Sequence, residues 1–191
     1  MVKIVFTTFS IEKYRTLVLI AGLLVLAIVL KFYEIPYPPV PFLKYDVSGI
    51  PLVIIAYYSL KYTFSTLPIY YVIPVLFGKD AVGMAMKCLA ETSTFIPLVL
   101  IYKRGSQLGK WRISIAVSIT ALSRVLSMSL ANYFITPYWL TWVYKMAFEE
   151  AYKATLMIMP HIALFNLTIT LIIAPLSLTC ITILKRAGYL K

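Results

Sequence analysis

Acid is what this chain has least of. Its 191 residues include seven Asp and Glu against 18 Lys and Arg, with one histidine and two cysteines. Each scarcity excludes a class of function. Protein zinc sites draw on three or four ligands, and a lone His161 cannot supply them. Cys88 and Cys180 stand in or beside apolar runs, match no metal or disulfide spacing, and read as small core residues. There is no GxxxxGK[ST] loop to cradle ATP phosphates, no HExxH, and no serine with an evident histidine and acid. The chain therefore reads as a non-enzyme with no metal and no cofactor, and any uphill work must draw on another chain or an ion gradient. The net charge of +11 raises nucleic acid as a partner, but a phosphate-binding surface needs a solvated basic face. Here the basic residues sit at the ends of apolar runs, where they orient a chain in a bilayer.

What the chain has in abundance is apolar surface. It is 61% hydrophobic, 15% aromatic and only 13% charged, the composition of an integral membrane protein rather than of a soluble domain. A spanning helix takes about 20 apolar residues. The runs predict an all-α, polytopic bundle of six transmembrane helices at about 16–32, 48–62, 64–77, 82–102, 111–134 and 158–184, one integral membrane domain over 1–191. No small-residue cleavage site follows the first run; Lys31, Phe32 and Tyr33 do, so it reads as an uncleaved span. Ahead of it, 1–13 reads as a short interfacial segment, with Val5, Phe6, Phe9 and Ile11 among polar residues. The sequence EIPYPPVP at 34–41 cannot be helical, since its four prolines remove donors and fix the backbone. The third span carries Pro68 and Pro74 and reads as short and kinked. The segment 136–153, with Trp139, Trp142, Tyr144, Glu149 and Glu150, reads as a helix or loop lying on the membrane surface.

Between the proline-rich loop and the second run lies KYDVSGIP, at 44–51. It has two readings. Asp46 or Ser48 is the N-cap of a helix with Pro51 in its first turn, or the stretch is a polar gate over a ligand. Other polar residues share its depth. Lys87 and Glu91 lie one turn apart near the outer end of the fourth span, Asn132 at the outer end of the fifth, and His161 and Asn166 in the outer part of the sixth. With Asp46 these six come from four segments and one leaflet. Ionisable groups in a membrane are costly and face a bundle interior or a water-filled cavity, so their convergence points to an outward-facing pocket for a small polar molecule. Tyr45, Tyr133, Tyr138 and Trp139 are placed to stack on a flat ring. Each residue also has a structural reading. Lys87 and Glu91 form an i,i+4 pair, His161 is an interfacial donor, and Asn132 and Asn166 join helices through hydrogen bonds. Arg124, the deepest charge, pairs with Glu91 or a carbonyl. Ser123, Ser127 and Ala131 recur every four residues, a spacing that lets helices or a partner approach closely.

These residues bear a resemblance. The proline-rich loop with KYDVSGIP, DAVG at 80–83, CLAE at 88–91, IYK at 101–103, ANYFITP at 131–137 and IMPHIALFN at 158–166 recur in order and at near-constant spacing. From about Lys31 to Lys185 the chain resembles the substrate-binding S components of energy-coupling factor (ECF) vitamin transporters, most closely the riboflavin type. The resemblance implies a six-helix membrane protein that captures a vitamin from outside. It also implies docking to a membrane-embedded coupling subunit and two ABC-type ATPases, with transport by toppling of the S component in the bilayer. It carries Asp46 and Asn132 over as flavin-binding residues by motif, and Lys87 and Asn166 by position. Three positions depart from the family pattern. Gly49 stands where the loop motif has a second acid. Thr168 and Ile169 stand where a lysine follows the last asparagine. Ala21, Gly22 and Ala27 are the nearest equivalents of the small-residue docking pair on the first helix. Two other functions fit the same composition: a small self-sufficient carrier driven by an ion gradient, for which Arg124 and Glu91 are the candidate residues, and a membrane assembly protein with no ligand.

Six spans put both termini on one side. On that side fall Lys3, Lys13, Arg15, Lys61, Lys103, Arg104, Lys110, Arg112, Lys185, Arg186 and Lys191. On the other fall Lys31, Lys44, Lys79, Lys87, Lys145 and Lys153. The excess of Lys and Arg places both termini in the cytoplasm of a multi-pass plasma-membrane protein. Single cysteines at positions 3 and 79, in a background without Cys88 and Cys180, are accordingly expected to react with an impermeant maleimide from opposite sides; reaction of both from one side defeats this topology.

Overall fold

A computed structural model describes residues 2–105, 109 and 111–190, with side chains from Tyr14 onward. The interfacial side chains anticipated within 1–13, together with Lys110 and Lys191, lie outside the described side chains. The described residues form six α-helices: α1 (Val2–Phe32), α2 (Gly49–Tyr58), α3 (Leu60–Leu76), α4 (Ala81–Arg104), α5 (Arg112–Tyr144) and α6 (Phe148–Arg186). A two-stranded antiparallel hairpin, β1 (Ile35–Tyr37) and β2 (Val40–Tyr45), separates α1 from α2.

The hairpin occupies the segment that the prolines bar from helix. Ile35 pairs with Tyr45 and Pro36 with Lys44, and the register slips between Pro36 and Tyr37, as expected where a proline donates no ladder bond. The fold is thus a helical bundle carrying one small strand pair, a departure from a purely α chain. Among the described residues four helices are long and apolar enough to cross a membrane: 14–32 of α1, and α4, α5 and α6 in full. Their outward faces expose Val18, Val25, Leu122, Leu126, Leu130, Leu171 and Leu176, a belt suited to lipid.

The remaining two helices correct the sequence reading. The break between the second and third runs falls at Ser59, in extended backbone (φ −160°, ψ 125°), and not at 63. α2 has only ten residues, about 15 Å at 1.5 Å per residue. It survives because it is the centre of the bundle and not a lipid-facing span. Leu52 and Ile55 pack with Ile20, Leu24 and Ala27 of α1 and Tyr70 of α3. Val53, Ile54, Ala56 and Tyr57 pack with Phe95 and Leu98 of α4 and Ile169, Ile173 and Ala174 of α6. A helix buried on every side can be apolar all round, so a run of bulky aliphatics here encodes a core.

The second correction concerns 136–153. This segment is not a separate surface helix. α5 runs on through Pro137 to Tyr144, Lys145 turns the chain in a left-handed conformation (φ 56°), and α6 starts at Phe148. Glu149 and Glu150 fall in the first turn of α6, where the helix dipole favours acid. Thr141 donates to the Pro137 carbonyl at 3.0 Å, within the turn that follows the proline.

At the end of the bundle that holds the chain termini, basic and aromatic side chains meet. Lys103 and Lys185 approach the Tyr57 ring at 4.7 and 5.2 Å, and Arg112 lies over Tyr102 at 4.4 Å. The hairpin, the N-terminus of α4 and the C-terminus of α5 lie at the opposite end.

Candidate binding cavity

The cavity is built on three helical rows. On α4, Lys87, Glu91 and Thr94 follow one another at i, i+4 and i+7, and so share a face. On α5, Arg124, Met128, Asn132 and Thr136 share one row, every fourth residue. α6 contributes Phe165 and Asn166. The hairpin lies across the top with Pro41, Phe42, Leu43 and Lys44. Together with Lys31, Glu34, Lys79, Asp80 and Trp139 these residues, apart from Glu91 and Thr94 behind the wall, line a cavity of about 480 Å³, within the range of small-molecule sites.

From the mouth of the cavity inward runs a continuous chain of opposite charges. Lys79 Nζ lies 2.6 Å from Glu34 Oε2, and Lys31 contacts Glu34 Oε1. Lys31 also reaches Asp46 Oδ2 at 3.2 Å, and Lys87 lies 2.9 Å from Asp46 Oδ1 and 2.8 Å from Glu91 Oε1. Lys87 thus bridges the two carboxylates by charge and distance, without the alignment of a straight hydrogen bond. Arg124 continues the chain inward, donating to Thr94 Oγ1 at 2.9 Å, to Asn166 Oδ1 at 3.2 Å and, at a looser 3.4 Å, to Glu91 Oε1. The carboxylates of Asp46 and Glu91 are completely buried and Arg124 is 1% exposed. Breaking such a pair by removing one partner costs about 3–5 kcal/mol, because a buried charge is left uncompensated.

Local sequence explains how Asp46 reaches this position. Its Oδ1 takes the backbone N–H of Ser48 at 3.0 Å and also contacts the Ser48 hydroxyl, a turn in which a side chain stands in for backbone. Ser48 occupies the N-cap of α2 but makes no side-chain cap bond; its hydroxyl pairs with Tyr70 Oη at 2.6 Å. Ser48 thus stands at the N-cap with Pro51 in the first turn, as expected, but its hydroxyl is spent on the turn and on α3 instead of on the helix end. Burial pushes the Asp46 carboxyl up, but the charges of Lys87 and Lys31 outweigh it and hold the group well below its ordinary range. At Glu34 burial acts in the same upward direction, and the hydrogen bonds from Lys31 and Lys79 overcome it, leaving the carboxyl below its usual 4.5.

The six residues singled out by depth divide into three groups. Lys87, Asn132 and Asn166 line the cavity. Asp46 and Glu91 lie behind it and hold the lining lysines. His161 is brought to neither place: it lies exposed on α6 against Tyr37, with ring centroids 6.3 Å apart. Asn132 donates to the Met128 carbonyl at 2.7 Å and accepts from Thr136 at 2.9 Å, so its amide is fixed in orientation with one N–H still free. Of the aromatic residues expected to stack on a ligand, only Trp139 lines the cavity. Tyr45 packs on Phe165, while Tyr133 and Tyr138 turn outward to Tyr152 and Phe148. The sequence reading misses Lys31, Lys44 and Lys79, which it takes as orienting charges only, and Glu34, which it takes only as the start of the non-helical proline segment. The hairpin that gathers them is signalled by the prolines, but its pairing is not.

The arrangement defines a class: a helical membrane protein with a cavity, lined by apolar and charged side chains together, at the end opposite its termini. The fold is that of the S component of a bacterial ECF transporter. A solved structure of such a component superposes with a TM-score of 0.74 over 91% of this chain and 97% of that one, at 22% identity. No protein-family model and no curated protein matches the sequence.

Two outcomes follow from this geometry. A Cβ at position 49 would overlap Glu91 Oε2 and come within 3.0 Å of Ile173 Cδ1, whereas a Cβ at position 22 meets nothing within 4 Å. Gly49→Ala is expected to lower stability in detergent by about 1–3 kcal/mol through overpacking, and Gly22→Ala to be neutral or slightly stabilising, as Gly→Ala in a helix interior is. Equal melting of the two variants would contradict the packing at Glu91. Because the folded pKa of Glu34 is lowered, its contribution is present above pH 4.5 and is lost as pH falls through the folded value. On acidification the melting temperature of wild type should fall more steeply than that of Glu34→Gln, and parallel curves would show that the lysine cluster contributes nothing.

Proposed function

We propose that the chain is the substrate-binding subunit of an ECF-type transporter, capturing riboflavin or a related vitamin from outside and delivering it through a coupling subunit and two ATPases. The observation that carries this reading is the cavity itself, a 480 Å³ space open at the end opposite the termini, in a bundle with the S-component fold. With both termini cytoplasmic the cavity faces outward. The hairpin crosses its top, where cargo has to pass. The floor is polar but internally paired, so a ligand need not supply a counter-charge to enter. A flavin is flat and carries carbonyl acceptors and an imide N–H, which an amide can both donate to and accept from. Asn132 offers its free N–H beside the aromatic face of Trp139. Lys87 lines the wall beside the ligand with its ammonium held inward between Asp46 and Glu91, and Asn166 is kept in register by Arg124. Docking to the coupling subunit falls to the outward small residues of α1, Ala21 and Gly22. Ala27 is fully buried and serves packing against α2 instead.

Asn132→Leu removes the amide and leaves a ligand group unpaired, at a cost of roughly 1–3 kcal/mol. Riboflavin affinity by isothermal titration is expected to fall about tenfold to a hundredfold. Leu126→Ala, on the lipid face of α5 at 61% exposure, serves as the control and should bind as wild type does. Absence of flavin binding by wild type would overturn the substrate, and unchanged binding by Asn132→Leu would overturn the position of the ligand.

A further inference from the structure

The mouth of the cavity holds more positive charge than its carboxylates neutralise. Glu34 is shared by three ammonium groups: Lys31 on Oε1, and Lys79 and Lys44 on Oε2 at 2.6 and 3.2 Å. Lys31 and Lys87 also share Asp46. Arg124 and Glu91 answer each other deeper in. Counting inward from the mouth, Lys31, Lys44, Lys79, Lys87 and Arg124 face Glu34, Asp46 and Glu91. Asp80 also lines the cavity, but its carboxylate is turned to the first turn of α4, where it accepts the Gly83 N–H. Two lysines are therefore held at the mouth by a fraction of one carboxylate. They are also the accessible ones: the side chains of Lys44 and Lys79 are 42% and 24% exposed, against 8% for Lys31. They come from separate segments, the hairpin and the turn before α4, and converge only through folding. Like charges brought together this way cost free energy unless an anion joins them.

We infer that the cargo carries an anionic group, a phosphate ester or a carboxylate, which seats between Lys44 and Lys79 and shares them with Glu34. This rests on the transport reading above and narrows it: a neutral vitamin leaves the lysine pair unanswered, whereas its phosphorylated form answers it. Two ammonium groups on one phosphate supply charge-assisted hydrogen bonds, which are stronger than neutral ones. The aromatic wall formed by Phe42 and Trp139, with ring centroids 5.2 Å apart, lies beside this position. Ring system and anion can therefore be recognised on neighbouring parts of one cavity.

The test compares riboflavin with riboflavin 5′-phosphate by isothermal titration at low salt, on wild type, Lys44→Gln and Lys79→Gln. The readout is the ratio of the two affinities, which cancels any general loss of folding. Wild type is expected to favour the phosphate ester by about tenfold or more, and this preference should shrink in each variant and with added salt. Equal affinities in wild type, or a preference that both variants retain, overturn the inference. If neither flavin binds, the flavin reading falls, and the anion site is judged separately by the melting temperature in pyrophosphate against sodium chloride of equal ionic strength. Stabilisation of wild type but not of Lys44→Gln or Lys79→Gln then upholds the site; the same melting temperature in both salts overturns it.

Discussion

A carboxylate fully removed from water, Asp46, organises the cavity end of this bundle. An isolated charge in an apolar interior costs so much that the group would neutralise or the structure would rearrange. Here it is answered on every side: by Lys31 from the end of α1, by Lys87 from α4, and by the N–H of Ser48 two residues along its own chain. Those partners then need partners of their own. Lys31 engages Glu34 before the hairpin, Lys87 engages Glu91, and Glu91 engages Arg124, which holds Asn166 on α6. Neutralising one buried charge thus recruits five of the six helices or the segments beside them.

The same constraint accounts for the short second helix. Asp46 and Ser48 make the turn from which α2 begins. It then has room for ten residues before reaching Ser59. The glycine after the turn is required by space rather than by backbone conformation, because Glu91 fills the volume a side chain would take. A carboxylate supplied from α4 thus occupies the space beside Gly49.

How far the sequence could be read depends on the length scale of each signal. Membrane class, the long spans and the non-helical proline segment were legible, because apolar runs and missing backbone donors act locally. The Lys87–Glu91 pair was legible for the same reason, being one helical turn. The pairing of Arg124 with Glu91 was among the options because both are buried charges in adjacent spans. What could not be read was convergence. Lys44 and Lys79 are separated by two helices, and nothing in either neighbourhood distinguishes a lysine that orients the chain from one that lines a cavity. His161 failed for a related reason. Its depth along α6 matched the site, but its position around the helix axis faces away from it, and Asn166 lies on the inward row.

A floor of paired charges is a costly way to stabilise a bundle, since apolar residues of similar volume often stabilise as well or better. Its use here makes sense if the cavity must be polar before the ligand arrives. With Asp46, Glu91, Lys87 and Arg124 already desolvated and mutually oriented, a ligand meets fixed dipoles and does not have to reorganise them, which lowers the ordering cost of binding. Asn132 follows the same logic on a neutral group: its bonds to Met128 and Thr136 use one N–H and fix the amide in the cavity wall. The lysines at the mouth differ. They are more exposed and underneutralised, so they can attract and orient an incoming anion at long range while the deeper network holds the shape of the cavity.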